Sequence, residues 1–144
     1  MKRIDITDIN SAWDDDAIAV LMQYIEIPAR SPIFDPDWKS AGHIDAVAEL
    51  FLAWVQRREL LGLSVELVRF PGLTPVLVAE LPATRSELAN STVVLYGHMD
   101  KQPEMLPWSE GLGPWTPVLR GERLYGRGGG DDGFKHSQHH RRTC

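Results

Sequence analysis

Two short clusters in this chain carry side chains that could do chemistry. The first is Gly97-His98-Met99-Asp100, and the second is Gly126-Arg127-Gly128-Gly129-Gly130-Asp131-Asp132-Gly133. A histidine offers a neutral imidazole nitrogen to a metal such as zinc. An aspartate two residues on can accept the other ring N–H, which fixes the tautomer and raises ligand basicity. The same His98-x-Asp100 pattern also suits a turn in which both side chains cap backbone groups. In the second cluster the glycines permit positive φ and close backbone approach, so the loop can wind tightly and present two carboxylates. Carboxylate oxygens bind divalent cations, and one carboxylate can bridge two of them. A flexible, solvated turn is the other reading of that loop. Phosphate binding is a poor match: the Gly-Lys-Ser/Thr ending of a P-loop is missing, and two adjacent aspartates repel phosphate.

The run Thr92-Val93-Val94-Leu95-Tyr96 leads directly into the first cluster. Its β-branched and apolar residues predict a short central strand covered on both faces. Such a strand would deliver His98 and Asp100 beyond its carboxyl end, where functional residues of α/β sheets gather. Upstream, Ile18, Leu21, Met22 and Ile25 recur at helical spacing and predict a helix over residues 14–27. Asp14, Asp15 and Asp16 at its start suit the positive end of the helix dipole, and Pro28 stops it. A breaker-rich loop with Pro32, Asp35 and Pro36 follows. A second helix is expected over residues 42–61, with Ile44, Val47, Ala48, Phe51, Leu52 and Val55 on one stripe and Gly62 as its stop. Residues 63–68 alternate like a half-buried strand, Pro71-Gly72 marks a turn, and residues 75–81 form the next strand. Residues 86–90 read as a polar loop. Residues 118–124 read as a hairpin turning at Arg120-Gly121-Glu122-Arg123. Helices followed by strands and a polar cluster predict an α/β domain.

The whole-chain figures fit that picture. At 144 residues, 43% hydrophobic and 24% charged, the chain has the length and composition of one globular domain, which excludes disorder, collagen and coiled coil. No apolar run approaches the ~20 residues of a membrane span, and the acidic first residues lack a signal-peptide layout. A net charge of −5 argues against nucleic-acid binding, which needs a cationic face. The one cysteine, Cys144, allows no internal disulfide, and a reducing cytoplasm is the default expectation.

From "LYGHMDKQPEM" through "GPWTPVL" to "LYGRGGGDDG", the chain resembles the zinc-dependent exopeptidase family. That family includes carnosinase-like dipeptidases, acetylornithine deacetylase, succinyl-diaminopimelate desuccinylase and glutamate carboxypeptidase. The resemblance covers nearly the whole chain up to Gly133, the "YIEIPARSPIFDPDW" segment included, and Lys101-Gln102-Pro103 looks closest to the dipeptidase-like branch. It implies the amino-terminal part of a three-layer αβα catalytic domain, two helices followed by strands of a mixed sheet. By the same resemblance His98 binds one zinc, Asp100 is the catalytic-site aspartate that orients it, Asp131 bridges two zinc ions, and Asp132 supports the loop. The implied cofactor is a pair of zinc ions, with cobalt or manganese as alternatives. The implied substrate is a dipeptide or other small amide, and the complete enzyme is implied to be a homodimer. In such sites the metals polarise the scissile carbonyl and acidify a shared water. A glutamate base takes that water's proton and passes it to the leaving amine.

The family pattern continues past the Asp-Asp loop with a buried helix, a Glu-Glu pair, a further carboxylate, a distal histidine and a dimerisation domain. Here the text after Gly133 is Phe134-Lys135-His136-Ser137-Gln138-His139-His140-Arg141-Arg142-Thr143-Cys144, with one large apolar residue. All 20 acidic residues and 12 of the 15 basic ones precede Phe134. The expectation is therefore a partial catalytic domain over residues 1–133 and an unstructured basic tail over residues 134–144, translated out of frame. The isolated chain is expected to be inactive. A competing reading makes His136, His139 and His140 a replacement metal site on one helix face. A different class of function is a non-catalytic fragment that assembles with a separately encoded remainder. His43 is expected as a surface or capping residue. Trp13, Trp38, Trp54, Trp108 and Trp115 are expected to bury apolar area; for Trp108 and Trp115, close to the site in sequence, lining it is the alternative reading. No motif marks Glu104 or Glu110 as the missing base.

Overall fold

The computed structural model describes residues 5–130 of the chain. It opens on one helical run: α1 (Ile6–Ala12), a π-helical turn (Trp13–Ala17) and α2 (Ile18–Glu26). The junction residues Ala12 and Ala17 both keep right-handed helical backbone angles, so the run is unbroken. It begins earlier than the sequence periodicity predicts, and Asp14, Asp15 and Asp16 therefore lie inside it rather than at its start. Asp16 makes tertiary links instead. Its carboxylate accepts the Trp54 Nε1–H at 2.8 Å and pairs with Arg58, whose guanidinium lies 4.3 Å from the centre of the Trp54 ring.

The buried face of α2 is Val20, Leu21, Tyr24 and Ile25, with Ile18 and Met22 half-buried at its margin. The expected stripe is thus rotated toward the tyrosine. A short α3 (Trp38–Ala41) leads through Gly42, at φ +70°, into α4 (His43–Gln56). A left-handed residue between two helices costs least as glycine, which has no Cβ to clash. The α4 helix buries Ile44, Val47, Ala48 and Phe51, four residues of the predicted stripe, and Leu52 and Val55 are half-buried. It ends at Gln56, short of the predicted Leu61, and the chain turns through Arg58 and Leu60 before Gly62. The α2 and α4 faces meet at Tyr24 and Phe51, ring centres 5.3 Å apart. Trp13, Trp38 and Trp54 pack around this core.

The β1 (Ser64–Val68) and β2 (Val76–Glu80) strands form an antiparallel hairpin, register Ser64↔Glu80 to Val68↔Val76. Leu67 sits opposite Leu77, and Leu77 packs on the helical core, which lays the hairpin against α4. A second hairpin pairs β3 (Val118–Arg120) with β4 (Arg123–Tyr125), Arg120 opposite Arg123. The architecture is thus mixed: helices plus two separate two-stranded antiparallel sheets. No helix among the described residues is long and apolar enough to cross a membrane.

One expectation fails clearly. Residues 92–96 are not a covered central strand; they form no regular element, and Val93 and Val94 are each 84% exposed. A strand needs a neighbour's N–H and C=O groups in register. Each hairpin pairs only with itself, and the isolated bridges fall elsewhere, at Arg30↔Lys101 and Gly113↔Thr116. The predicted mixed sheet therefore does not form among the described residues. The polar loop over residues 86–90 contains a short 3-10 turn (Ser86–Leu88).

Candidate functional site

The first chemical cluster is held by the residue that follows it. Lys101 forms a parallel bridge with Arg30: its N–H donates to the Ala29 carbonyl at 2.8 Å, and its own carbonyl accepts the Ser31 N–H at 2.9 Å. Met99 packs against the α2–α4 core. These anchors on either side fix the backbone between them and place His98 and Asp100 together. The His98 Nδ1 lies 2.9 Å from the Asp100 carbonyl oxygen and 3.1 Å from its Oδ1. Both neighbours are acceptors, so Nδ1 is the ring nitrogen that donates, and a neutral ring then keeps its lone pair on Nε2. That is the tautomer a metal-binding histidine with a carboxylate partner adopts. It is equally the geometry of a His-x-Asp turn, and the two readings differ only in what Nε2 engages.

Lys101 itself is 1% exposed. Its ammonium donates to the carbonyls of Tyr24, Ile25 (3.3 Å) and Ile27 (2.7 Å), at the carboxyl end of α2. Helix ends leave their last carbonyls without intrahelical donors and carry partial negative charge, so a cation belongs there. The Tyr24 ring centre is 3.9 Å from Nζ and that of Trp115 is 5.3 Å away, adding π-face contact. Burial pushes the Lys101 pKa down to about 7 by stripping water from the charged form.

The glycine-rich loop is wound onto the same spot. A Cβ at Gly126, where φ is +152°, would lie 2.4 Å from the Ile25 Cγ2. At Gly128, φ +87°, it would lie 3.1 Å from the Lys101 Cδ and Cε. A side chain at Gly126 would collide with Ile25, and at Gly128 the positive φ and the tight approach to the Lys101 stem both favour glycine. The Arg127 N–H donates to the Pro114 carbonyl at 2.7 Å, tying the loop to the Trp115 segment. Gly126, Arg127, Gly128 and Gly130 line an open hollow of about 300 Å³.

Around this platform, Arg30 pairs with the buried Asp35 at 3.3 Å and with Glu104 at 3.6 Å. Glu104 also accepts, through its carbonyl, the Trp108 Nε1–H at 2.7 Å and an Arg127 N–H at 3.4 Å. Trp108 and Trp115 thus lie beside the loop, one under Arg127 and the other beside Lys101. His43 begins α4.

Asp131, Asp132, the tail over residues 134–144 and its His136, His139 and His140 lie outside the described residues. Among the described residues no three His, Cys, Asp or Glu side chains form a group that could hold a metal ion. The structure brings His98 onto Asp100, and it brings the loop that leads into Asp131 onto Ile25 and Lys101. Sequence reasoning missed Lys101 as a structural centre. The only signal for it is a lysine abutting the polar cluster, and nothing in the sequence announces its burial. No protein-family model matches the chain.

Proposed function

We propose that this chain carries part of the active site of a metal-dependent hydrolase of peptide or small amide bonds, of the dizinc dipeptidase type, within a partial three-layer αβα domain. The observation that carries the reading is the His98–Asp100 contact at 3.1 Å, which sets the imidazole in the tautomer a metal ligand needs. The glycine loop adds support, because Gly126 and Gly128, which precede Asp131 in the sequence, pack on Ile25 and Lys101. The donors present suit zinc: an imidazole nitrogen from His98 and a carboxylate from Asp131. Such metals, when bound, supply a polarised carbonyl and an acidified water.

The chain's own residues have limited tasks in this scheme. Asp100 accepts the Nδ1–H of His98, holds the ring in place and increases the electron density at Nε2. By the resemblance, Asp131 would hold the metals through its carboxylate, and Asp132 would have a supporting role. No residue is assigned as the base that would move a proton from water to the leaving amine. Glu104 pairs with Arg30 at 3.6 Å, and no motif gives it that role. The whole enzyme on this reading is a cytoplasmic homodimer acting on dipeptides or similar amides, and the isolated chain is inactive. A purified chain incubated with dipeptides and zinc is expected to show no hydrolysis above buffer. Zinc-dependent, chelator-sensitive turnover would overturn the inactivity.

A second reading is favoured by one observation. Residues 92–96 expose a β-branched apolar run, and such a patch suits a non-catalytic fragment that docks onto a separately encoded remainder. Restored hydrolysis on co-expression with a chain carrying the missing ligands supports that assembly. Co-purification without hydrolysis supports a binding role alone.

A further inference from the structure

The two clusters proposed to supply metal ligands are far apart in the sequence, yet both rest on one side chain. Lys101 stands next to Asp100, and its ammonium reaches back 77 positions to Tyr24. It caps carbonyls at the end of a helix to which it does not belong. The stem of the same lysine forms the surface on which Gly128 lies, at a φ of +87° and with a Cβ there only 3.1 Å from the stem. The backbone of Lys101 is bonded on both sides, to Ala29 and Ser31. Three segments therefore meet at this residue: the end of α2, the His98–Asp100 segment and the glycine loop.

We infer that Lys101 is a positioning residue that pins the His98–Asp100 segment and the glycine loop over residues 126–130 to the carboxyl end of α2. A residue acting only as core filling would serve through its four-carbon stem. Lys101 acts through the ammonium as well, because three carbonyls converge on it. Glycine at position 128 is the complement of this device, since a Cβ there would press on the stem at 3.1 Å from a backbone whose φ of +87° already disfavours side chains. The positioning itself is independent of any metal. Its consequence for metal binding rests on the function proposed above.

The test uses the full chain and two variants, Lys101→Met, which keeps most of the stem and removes the charge, and Gly128→Ala, which presses on the stem. Amide hydrogen exchange is read at Ser31, Lys101, Arg127 and Gly129, with the α4 amides as internal reference. Both variants are expected to speed exchange at all four amides by about tenfold or more while α4 amides stay near their original rates. Unchanged exchange at Arg127 and Gly129 in both variants would overturn the inference, because the loop would then be held without Lys101. A uniform rise that includes α4 in Gly128→Ala would also overturn it, reducing the residue to general core packing. If Lys101→Met does not fold, Gly128→Ala decides at the Ser31 and Lys101 amides, which lie outside the loop that φ +87° itself strains, and unchanged exchange there would overturn the inference. A second readout is the visible absorption of added Co²⁺. Where the unaltered chain binds Co²⁺ through His98, Lys101→Met is expected to weaken that binding by about tenfold, the lower end of what outer-shell losses cost, and unchanged affinity would count against positioning. Where the unaltered chain binds none, the proposed metal function fails while the exchange result still decides the role of Lys101.

Discussion

The α2–α4 pair and residues 92–96 are built from similar apolar side chains and end in opposite states. Leu21, Tyr24, Ile25 and Val47 are fully buried, whereas Val93, Val94, Leu95 and Tyr96 stand in water. Hydrophobicity alone does not explain the difference. A helix satisfies its own backbone and needs only one apolar neighbour to cover its stripe. A strand covered on both faces needs partners on either edge and layers above and below, all of them distant in sequence. The helical half supplies its requirements locally. The strand's requirements are not met among the described residues, and the candidate site lies at the boundary between the two regions.

The sharpest way to break this comparison is to truncate one side chain in each region. Leu21→Ala is expected to cost about 2–5 kcal/mol of unfolding free energy, because it opens a cavity in the α2–α4 core. Val94→Ala is expected to change stability by less than about 0.5 kcal/mol, as exposed positions do. Urea unfolding followed by circular dichroism measures both. A comparable loss at Val94 would mean the segment is covered in solution. Next in size is Gly126→Ala, expected to cost about 1–3 kcal/mol because the new methyl collides with Ile25. A neutral result there would mean the loop does not rest on α2.

A pH-dependent effect follows from Lys101. The unfolded chain holds this proton up to a pKa near 10.5, the folded chain only to about 7. Between those values the unfolded state binds more protons, so stability rises as pH increases from about 7 toward 10.5 and is flat for this group below and above. Lys101→Met should remove that slope, which unfolding at a series of pH values reads directly. A slope that survives the substitution would place its origin elsewhere. The smallest effect concerns the link between the π-helical turn and α4. Asp16→Asn is expected to cost about 0.5–1 kcal/mol, since the ion pair with Arg58 is half-exposed and screened. A larger loss would make the first helical run dependent on that link.

Much of the local structure was legible in the sequence. The stripe through Ile44, Val47, Ala48 and Phe51 marks α4, and alternation marks β1 and β2. Pro71-Gly72 and Arg120-Gly121-Glu122-Arg123 mark the two hairpin turns. The early start of the first helical run was not legible, because residues 6–12 lack a clear apolar period. The failure at residues 92–96 has a different cause. Their composition states a capacity to pair, but pairing depends on groups elsewhere that no local pattern encodes. Within the candidate site, the contact between His98 and Asp100 could be expected from their spacing, and the glycine loop's tight packing from its composition. The burial of Lys101 could not, because a lysine is ordinarily exposed and only the tertiary convergence of three helix-end carbonyls makes its burial tolerable.

On the proposed function, His98, oriented by Asp100, is a metal ligand rather than part of a turn. Titrating the full chain with Co²⁺ while recording its visible absorption tests this most directly, with His98→Ala and Asp131→Asn measured alongside. The account predicts a ligand-field band in the unaltered chain that is lost in His98→Ala and weakened in Asp131→Asn. An identical band in the His98→Ala chain, or no band in the unaltered one, would contradict it.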